Sequence, residues 1–303
     1  MRILQGHKNP VQRVRFSPDG RYLLSSAPLS ASGDDIVRLW DVTTGEAILH
    51  GLPAPVWADF TPDAQAVLIY TFDHKPYLFT LRKRTCTPLR ARGASDEDFM
   101  EPVFSPDGRR CLTFNYYRGF VLNWWAYPSW KPLRPWTLDG ELGSAGNDRF
   151  QCVAFRPDGK TLAALSFDGL HIFTVPSGHP LLSHALRLSQ GIGFLAYHPD
   201  GRLLALGTGT LIVVLDSETG QSVAELRQVR KHFLGGAFTP NGRHLFTVSN
   251  EETVKIWDSA TWKVAREYAW KVGGLRCVAV SPDGMTAAAG GAGKKVVVWD
   301  LDT

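Results

Sequence analysis

The sequence predicts an all-β chain of seven four-stranded antiparallel units, and three observations carry that prediction. The first is a short turn that recurs along the whole chain: "FSPDG" at Phe16, "FTPDA" at Phe60, "FSPDG" at Phe104, "FRPDG" at Phe155, "YHPDG" at Tyr197, "FTPNG" at Phe238 and "VSPDG" at Val280. The second is its spacing, with intervals of 44, 44, 51, 42, 41 and 42 residues. A period in the low forties calls for a repeat architecture. The third is the alternation of apolar and polar residues on either side of each turn, which is the period of a strand.

Each element of the unit follows from the same grammar, and the first unit shows it in order. "VQRVRF" is a strand leading into the turn, where Pro18 presets φ, Asp19 tolerates the third position and Gly20 suits the fourth. "YLLSS" is the second strand. A short loop follows, then a third strand, "IVRLWD", ending in an aromatic and an acid. The Gly-containing turn "TTGE" starts a fourth strand, "AILHG". Helices have no room in this scheme. Units of this size cannot bury both faces alone, but arranged radially they pack face to face as the blades of a propeller. The seventh unit, ending "VVVWDLDT", supplies three strands, and "MRILQ" reads as a fourth lying before the first "GH". Pairing residues 1–5 with the strand around Val296 and Trp299 removes the open edge and closes the ring. Residues 1–303 then form a single seven-bladed domain.

"GH" at Gly6 and His7, the repeated "SPDG", and "WD" at Trp40 and Asp41, Trp257 and Asp258, and Trp299 and Asp300 resemble the WD40-repeat β-propellers. The likeness runs along the whole chain, and seven in-phase copies give it its specificity. Richness in "PDGR" and alanine is similar to bacterial members. The resemblance implies a clasp of the kind just described, and a buried hydrogen-bonded chain of His, Ser, Asp and Trp within a blade. The first unit matches it at His7, Ser25, Asp34 and Trp40. Imidazole bridges carboxylate and hydroxyl, and the hydroxyl accepts from the indole N–H. The reading is a structural network rather than a hydrolase triad. Later units depart from it. Unit six has Thr247, Glu251 and Trp257, with Val229 at the histidine position; unit two has Ile69 and Phe79; units four and five have Phe173 and Leu215. In unit three, Trp124 and Trp125 compete for the tryptophan position.

Composition narrows the function. Lysine and arginine number 33 against 29 acids, a net charge of +4, with no basic run of the kind that binds nucleic acid. The cysteines Cys86, Cys111, Cys152 and Cys277 lack metal or redox spacing and read as free buried thiols. The opening "MRILQGHKNP" has no apolar core of signal-peptide length, and the longest apolar run, "LLALGTGTLIVVL", is too short to span a bilayer. A cytoplasmic protein with no membrane partner is expected. Nine histidines are scattered without HExxH or ligand-spaced pairs, and no phosphate loop occurs. No cofactor and no catalytic residue are assigned. The alternative is a propeller hydrolase or lactonase with a metal in its central channel, which needs ligands rising from several blades.

The leading reading is an interaction scaffold, a monomeric ring that binds a protein or peptide on its loop face. Twelve residues past the turn anchor, three consecutive units place an aromatic: Phe72, Tyr116 (or Tyr117) and Phe167. Beside them in sequence stand Asp73, Asp96, Glu97, Asp98, Asp148 and Asp168. Aromatic faces attract cations, and acids steer a basic segment. An opposing basic sector gathers Arg230, Lys231, Lys271, Lys294 and Lys295, with Glu251 and Glu252 placed to neutralise it. Residues 27–33 lengthen a loop of unit one, and residues 134–148 account for the 51-residue interval as a flexible insertion. Trp130 and Trp136 either pack between blades or expose an outer-rim patch.

Overall fold

A computed structural model describes residues 1–27, 37–49, 55–71, 73–90, 100–115, 121–137, 152–166, 169–185, 191–227 and 231–301. Among them the chain is all-β, in seven antiparallel sheets. Sheet one holds β2 (Arg13–Phe16), β3 (Tyr22–Ser26), β4 (Val37–Asp41) and β5 (Ala47–Leu49). Sheet two holds β6 (Pro55–Phe60), β7 (Ala66–Thr71), β8 (Pro76–Thr80) and β9 (Thr85–Pro88). Sheet three begins with β10 (Met100–Phe104), β11 (Arg110–Asn115) and β12 (Val121–Ala126). Sheet four holds β15 (Cys152–Phe155), β16 (Thr161–Leu165), β17 (Gly169–Thr174) and β18 (Pro180–Ala185). Sheet five holds β19 (Ile192–Tyr197), β20 (Leu203–Thr208), β21 (Leu211–Asp216) and β22 (Ser222–Arg227). Sheet six holds β23 (Phe233–Phe238), β24 (His244–Ser249), β25 (Thr253–Asp258) and β26 (Val264–Ala269).

Sheet seven has three strands of its own, β27 (Leu275–Val280), β28 (Thr286–Gly291) and β29 (Lys295–Asp300). Its fourth is β1 (Arg2–Gln5), which pairs antiparallel with β29 in the register Arg2 to Val298 through Gln5 to Lys295. The fold class is therefore the one the repeats predict, and the N-terminal strand completes the last sheet. Leu4 is buried on this added strand, beside Val11, Val14, Trp40 and Val296.

In sheet three the fourth strand is split. Both β13 (Lys131–Pro132) and β14 (Trp136–Thr137) pair with β12. Pro132 and Pro135 lack the N–H that a continuous ladder would use. The insertion expected at 134–148 thus begins in the break between β13 and β14, and residues 138–148 lie outside the described residues.

Two compact units contain these sheets: Met1–Leu52 with Leu188–Thr303, and Pro53–Arg187. In the first, sheets five, six, seven and one succeed one another through apolar layers. Phe194, Leu245 and Trp257 join five to six, and Val254, Leu275 and Val297 join six to seven. In the second, Trp57, Tyr70 and Trp125 join sheets two and three, and Leu112, Trp124 and Phe173 join three and four. Strands covered on both faces lose the polar alternation, so β7 and β16 are buried at every position.

The recurrent turn is held by a hydroxyl–carboxylate clasp. Ser17 Oγ donates to Asp19 Oδ1 and accepts from the Tyr22 amide at 2.9 Å, while the Arg21 amide donates to the same carboxylate at 3.1 Å. Thr61 with Asp63, Ser105 with Asp107, Thr239 with Asn241, and Ser281 with Asp283 repeat it. The hydroxyl bonds from Ser105 and Ser281, followed by a backbone amide, hold Asp107 and Asp283 below the usual carboxylate range. The glycine has a second role. Gly20 has φ +72°, and a Cβ there would sit 3.8 Å from Pro282 of the neighbouring turn. Gly108 faces Pro62, Gly159 faces Pro106 and Gly284 faces Pro240 in the same way. The Pro and Gly of successive copies are two halves of one intersheet contact. Sheet five breaks the series: His198 Nε2 lies 2.9 Å from the Gly242 carbonyl of sheet six, and its Nδ1 lies 2.7 Å from Asp200.

Candidate functional site

The buried polar chain of sheet one assembles as its residue types require. His7 Nε2 lies 2.6 Å from Ser25 Oγ, and Trp40 Nε1 donates to the same oxygen at 2.8 Å. All three side chains are buried. Asp34 lies outside the described residues. The arrangement ties β3 and β4 to the segment after β1.

Ladder register finds the same position in every sheet. Sheet three resolves its two tryptophans: Trp125 Nε1 donates to Thr113 Oγ1 at 2.8 Å. Trp124 instead faces sheet four, 4.7 Å from the Trp136 ring and 5.8 Å from Phe155. Sheet six keeps Trp257 on Thr247 at 2.8 Å, while Glu251 is 3.4 Å from Thr253 Oγ1 and Val229 lies outside the described residues. Sheets two, four and five lose both partners, to Ile69 and Phe79, Ala164 and Phe173, and Leu206 and Leu215, all buried. Sheet seven alone loses only the hydroxyl among these sheets: Ala289 stands where Ser25 does, and the buried Trp299 Nε1 finds no acceptor among the described residues.

Three points about the surface are decided, the first in favour of packing. Trp130 and Trp136 form no outer-rim patch, since they are only 6% and 7% exposed. Trp130 packs on Phe104 and Tyr127, and Trp136 donates its indole N–H to the Pro176 carbonyl at 2.9 Å. Tyr127 donates to Asp63 at 2.8 Å; burial, then that acceptor, pushes its hydroxyl up to about 12. The cysteines are not uniformly buried: Cys111 and Cys277 are, Cys152 is half-buried, and Cys86 is exposed on the outer strand β9. Among the described residues no ion pair joins Glu251 or Glu252 to the nearby lysines; Glu252 accepts from the Gly273 amide at 3.1 Å.

The loop positions assigned to partner binding, namely Phe72, Tyr116, Tyr117, Phe167, Asp96, Glu97, Asp98 and Asp148, lie outside the described residues. Asp168 and Arg230 do too. Their flanks are described. Thr71 ends β7 and Pro76 begins β8, Asn115 ends β11 and Val121 begins β12, and Leu165 ends β16 and Gly169 begins β17. Asp73 is a turn residue whose charge is already engaged, by Thr71 Oγ1 at 2.6 Å and Lys75 Nζ at 3.0 Å. Those two contacts hold its carboxyl below the usual range. Among the described residues no three His, Cys, Asp or Glu side chains converge as a metal site would need. Among the described residues no helix is long and apolar enough to cross a membrane.

Comparison with known proteins agrees with this pattern of retention and loss. The family model described as "WD domain, G-beta repeat" matches residues 1–41, 226–258 and 266–300, which are the sheets that keep the aromatic–acid ending. The transcriptional corepressor LEUNIG_HOMOLOG of Arabidopsis thaliana is 21% identical over 290 residues, covering 94% of this chain and 34% of that protein. Groucho of Drosophila melanogaster is 29% identical over 106 residues, 34% of this chain and 14% of that protein. The small ribosomal subunit protein RACK1 of the same fly is 37% identical over 67 residues, 22% of this chain and 21% of that protein. The chain thus spans about a third or less of these relatives. Seven sheets in repeat, the turn clasp, the shared hydroxyl–indole pair and the family model matched over three stretches make the chain similar to the WD40-repeat β-propellers.

Proposed function

We propose that the chain is a protein-interaction scaffold whose loop face takes a Lys- or Arg-bearing segment of a partner. The observation that carries this reading is the aromatic at one repeat position in three consecutive sheets: Phe72, Tyr116 or Tyr117, and Phe167. Aromatic faces attract cations, so three aromatics at one repeat position suit a Lys or Arg side chain. Asp96, Glu97, Asp98 and Asp148, in the loops before β10 and β15, add attraction for a basic segment. Asp73 drops out of that set, since Lys75 already pairs with it. The relatives' names, a corepressor and a ribosomal subunit protein, state no reaction and are in keeping with a binding role. The proposal includes a cytoplasmic monomer, acting without cofactor and independently of nucleic acid or membrane.

Capture of partners from the source cell, repeated with a Phe72→Ala/Phe167→Ala variant, tests the site. Binding of the captured partner is expected to weaken at least tenfold, about 1.4 kcal/mol, with the melting temperature unchanged. Undiminished binding by that variant, with loss on charge reversal at Arg230 and Lys231, would place the partner on the basic sector instead.

A further inference from the structure

We propose that sheet seven is a conformational seam, the sheet of its compact unit that opens first, by release of β1 from β29. The same unit holds sheets five, six and one, and three features set sheet seven apart from them. The first is an unpaired donor. In sheets one and six the tryptophan near the end of the third strand donates to a hydroxyl at 2.8 Å, Trp40 to Ser25 and Trp257 to Thr247. Sheet five has Leu215 and Leu206 at these positions and needs no acceptor. Sheet seven keeps the buried Trp299 but offers it Ala289, and the indole N–H has no acceptor among the described residues. Val272, Ala287, Ala289 and Val297, in the same layer, are all apolar. The closed sheet therefore holds a donor that opening returns to water.

The second feature is a thin middle strand. After Thr286, β28 carries three alanines and two glycines, whereas β24 carries Leu245, Phe246 and Val248, and β20 carries Leu203, Leu204 and Leu206. The cost of separating strands scales with the apolar surface they bury. Packing keeps this strand thin, because a Cβ on Gly290 would lie 2.8 Å from the Val11 side chain.

The third feature is β1 itself. It has four residues, of which Leu4 alone is buried, and no turn joins it to β29. The outer strands β5, β22 and β26 each follow the strand they pair with directly, through residues 42–46, 217–221 and 259–263. Outside sheet seven, β1 is held by Arg2, whose Nη1 donates to the Val42 carbonyl at 2.6 Å, and by Leu4 in its layer with Val14 and Trp40. Release of β1 leaves β27, β28 and β29 connected and turns the edge of β29 to water. Loosening of β28 from β29 then lets the Trp299 N–H find a partner, so the features act in one direction. Trp124 also has an unpaired Nε1, but it stands in the other compact unit, in a sheet that keeps the Trp125–Thr113 pair.

The test is hydrogen exchange of the full chain in urea too dilute to unfold it, read strand by strand. In the wild type, amides of β1, β28 and β29 are expected to exchange at least about tenfold faster than those of β24 and β25. Ala289→Ser, which supplies to Trp299 the hydroxyl that Ser25 supplies to Trp40, should slow exchange in β28 and β29 by at least about fivefold and leave β24 and β25 unchanged. Ala288→Ser adds the same atom on the face turned to sheet one, away from Trp299, and should not slow it. Equal exchange in sheets six and seven of the wild type would overturn the proposal, whether or not either serine variant folds. Slowing by neither variant, or equal slowing by both, would overturn it as well. None of these outcomes depends on the aromatic loop positions.

Discussion

Ser25 Oγ shows how a single atom organises a repeat unit. It meets His7 at 2.6 Å and Trp40 at 2.8 Å in a buried setting, so removing either partner strands polar atoms away from water. His7→Ala is expected to lower unfolding stability by about 1–3 kcal/mol in urea titration, with partner binding through the loops unchanged. No loss of stability would show that the histidine is not part of the bonded chain. Comparing sheets supports the argument. Where the hydroxyl goes, the tryptophan usually goes with it, as at Ile69 with Phe79 and Leu206 with Leu215. Apolar packing replaces the pair as a whole. Trp299 over Ala289 is the exception, a buried indole without its hydroxyl.

At the scale of the element, β1 matters more than its four residues suggest. It covers the open edge of β29 and buries Leu4, whose burial alone is worth about 1.5–3 kcal/mol. Deleting residues 1–5 should therefore destabilise the protein by roughly 3 kcal/mol or more once ladder hydrogen bonds are included. Thermal melting checks this, and a truncated protein melting at the wild-type temperature would rule out the clasp. This pairing was legible in the sequence because the seventh unit is one strand short and "MRILQ" alternates as a strand. The split of the outer strand in sheet three was not. Pro132 and Pro135 interrupt β13 and β14, and the resulting short segments carry no periodic signal. The choice between packing and exposure for Trp130 and Trp136 was left open for a related reason. It depends on Tyr127 and on the Pro176 carbonyl of the next sheet, neither of which any local pattern identifies.

Across the molecule, the repeated turn serves stability while the connections between sheets' second and third strands are left to vary. Ser17 with Asp19 and Gly20 against Pro282 recur nearly unchanged, which is why five letters repeat along the chain. The twelfth position past each turn is under no such constraint: it holds Phe72, Tyr116 and Phe167 in one unit, but Asn250 and Ala292 in the other. Variation there on a fixed frame is what an interaction surface requires. The repeat phase made these positions legible, since it depends on the frame and not on the loops themselves. The central claim is that a partner engages those connections in sheets two to four. Hydrogen exchange of the full chain, measured with and without the captured partner, tests it most directly. The account predicts slowed exchange confined to the β7–β8, β11–β12 and β16–β17 connections and the adjoining strand ends. Protection restricted to the outer strands β9 and β18, with those connections exchanging as fast as in the free protein, would contradict it.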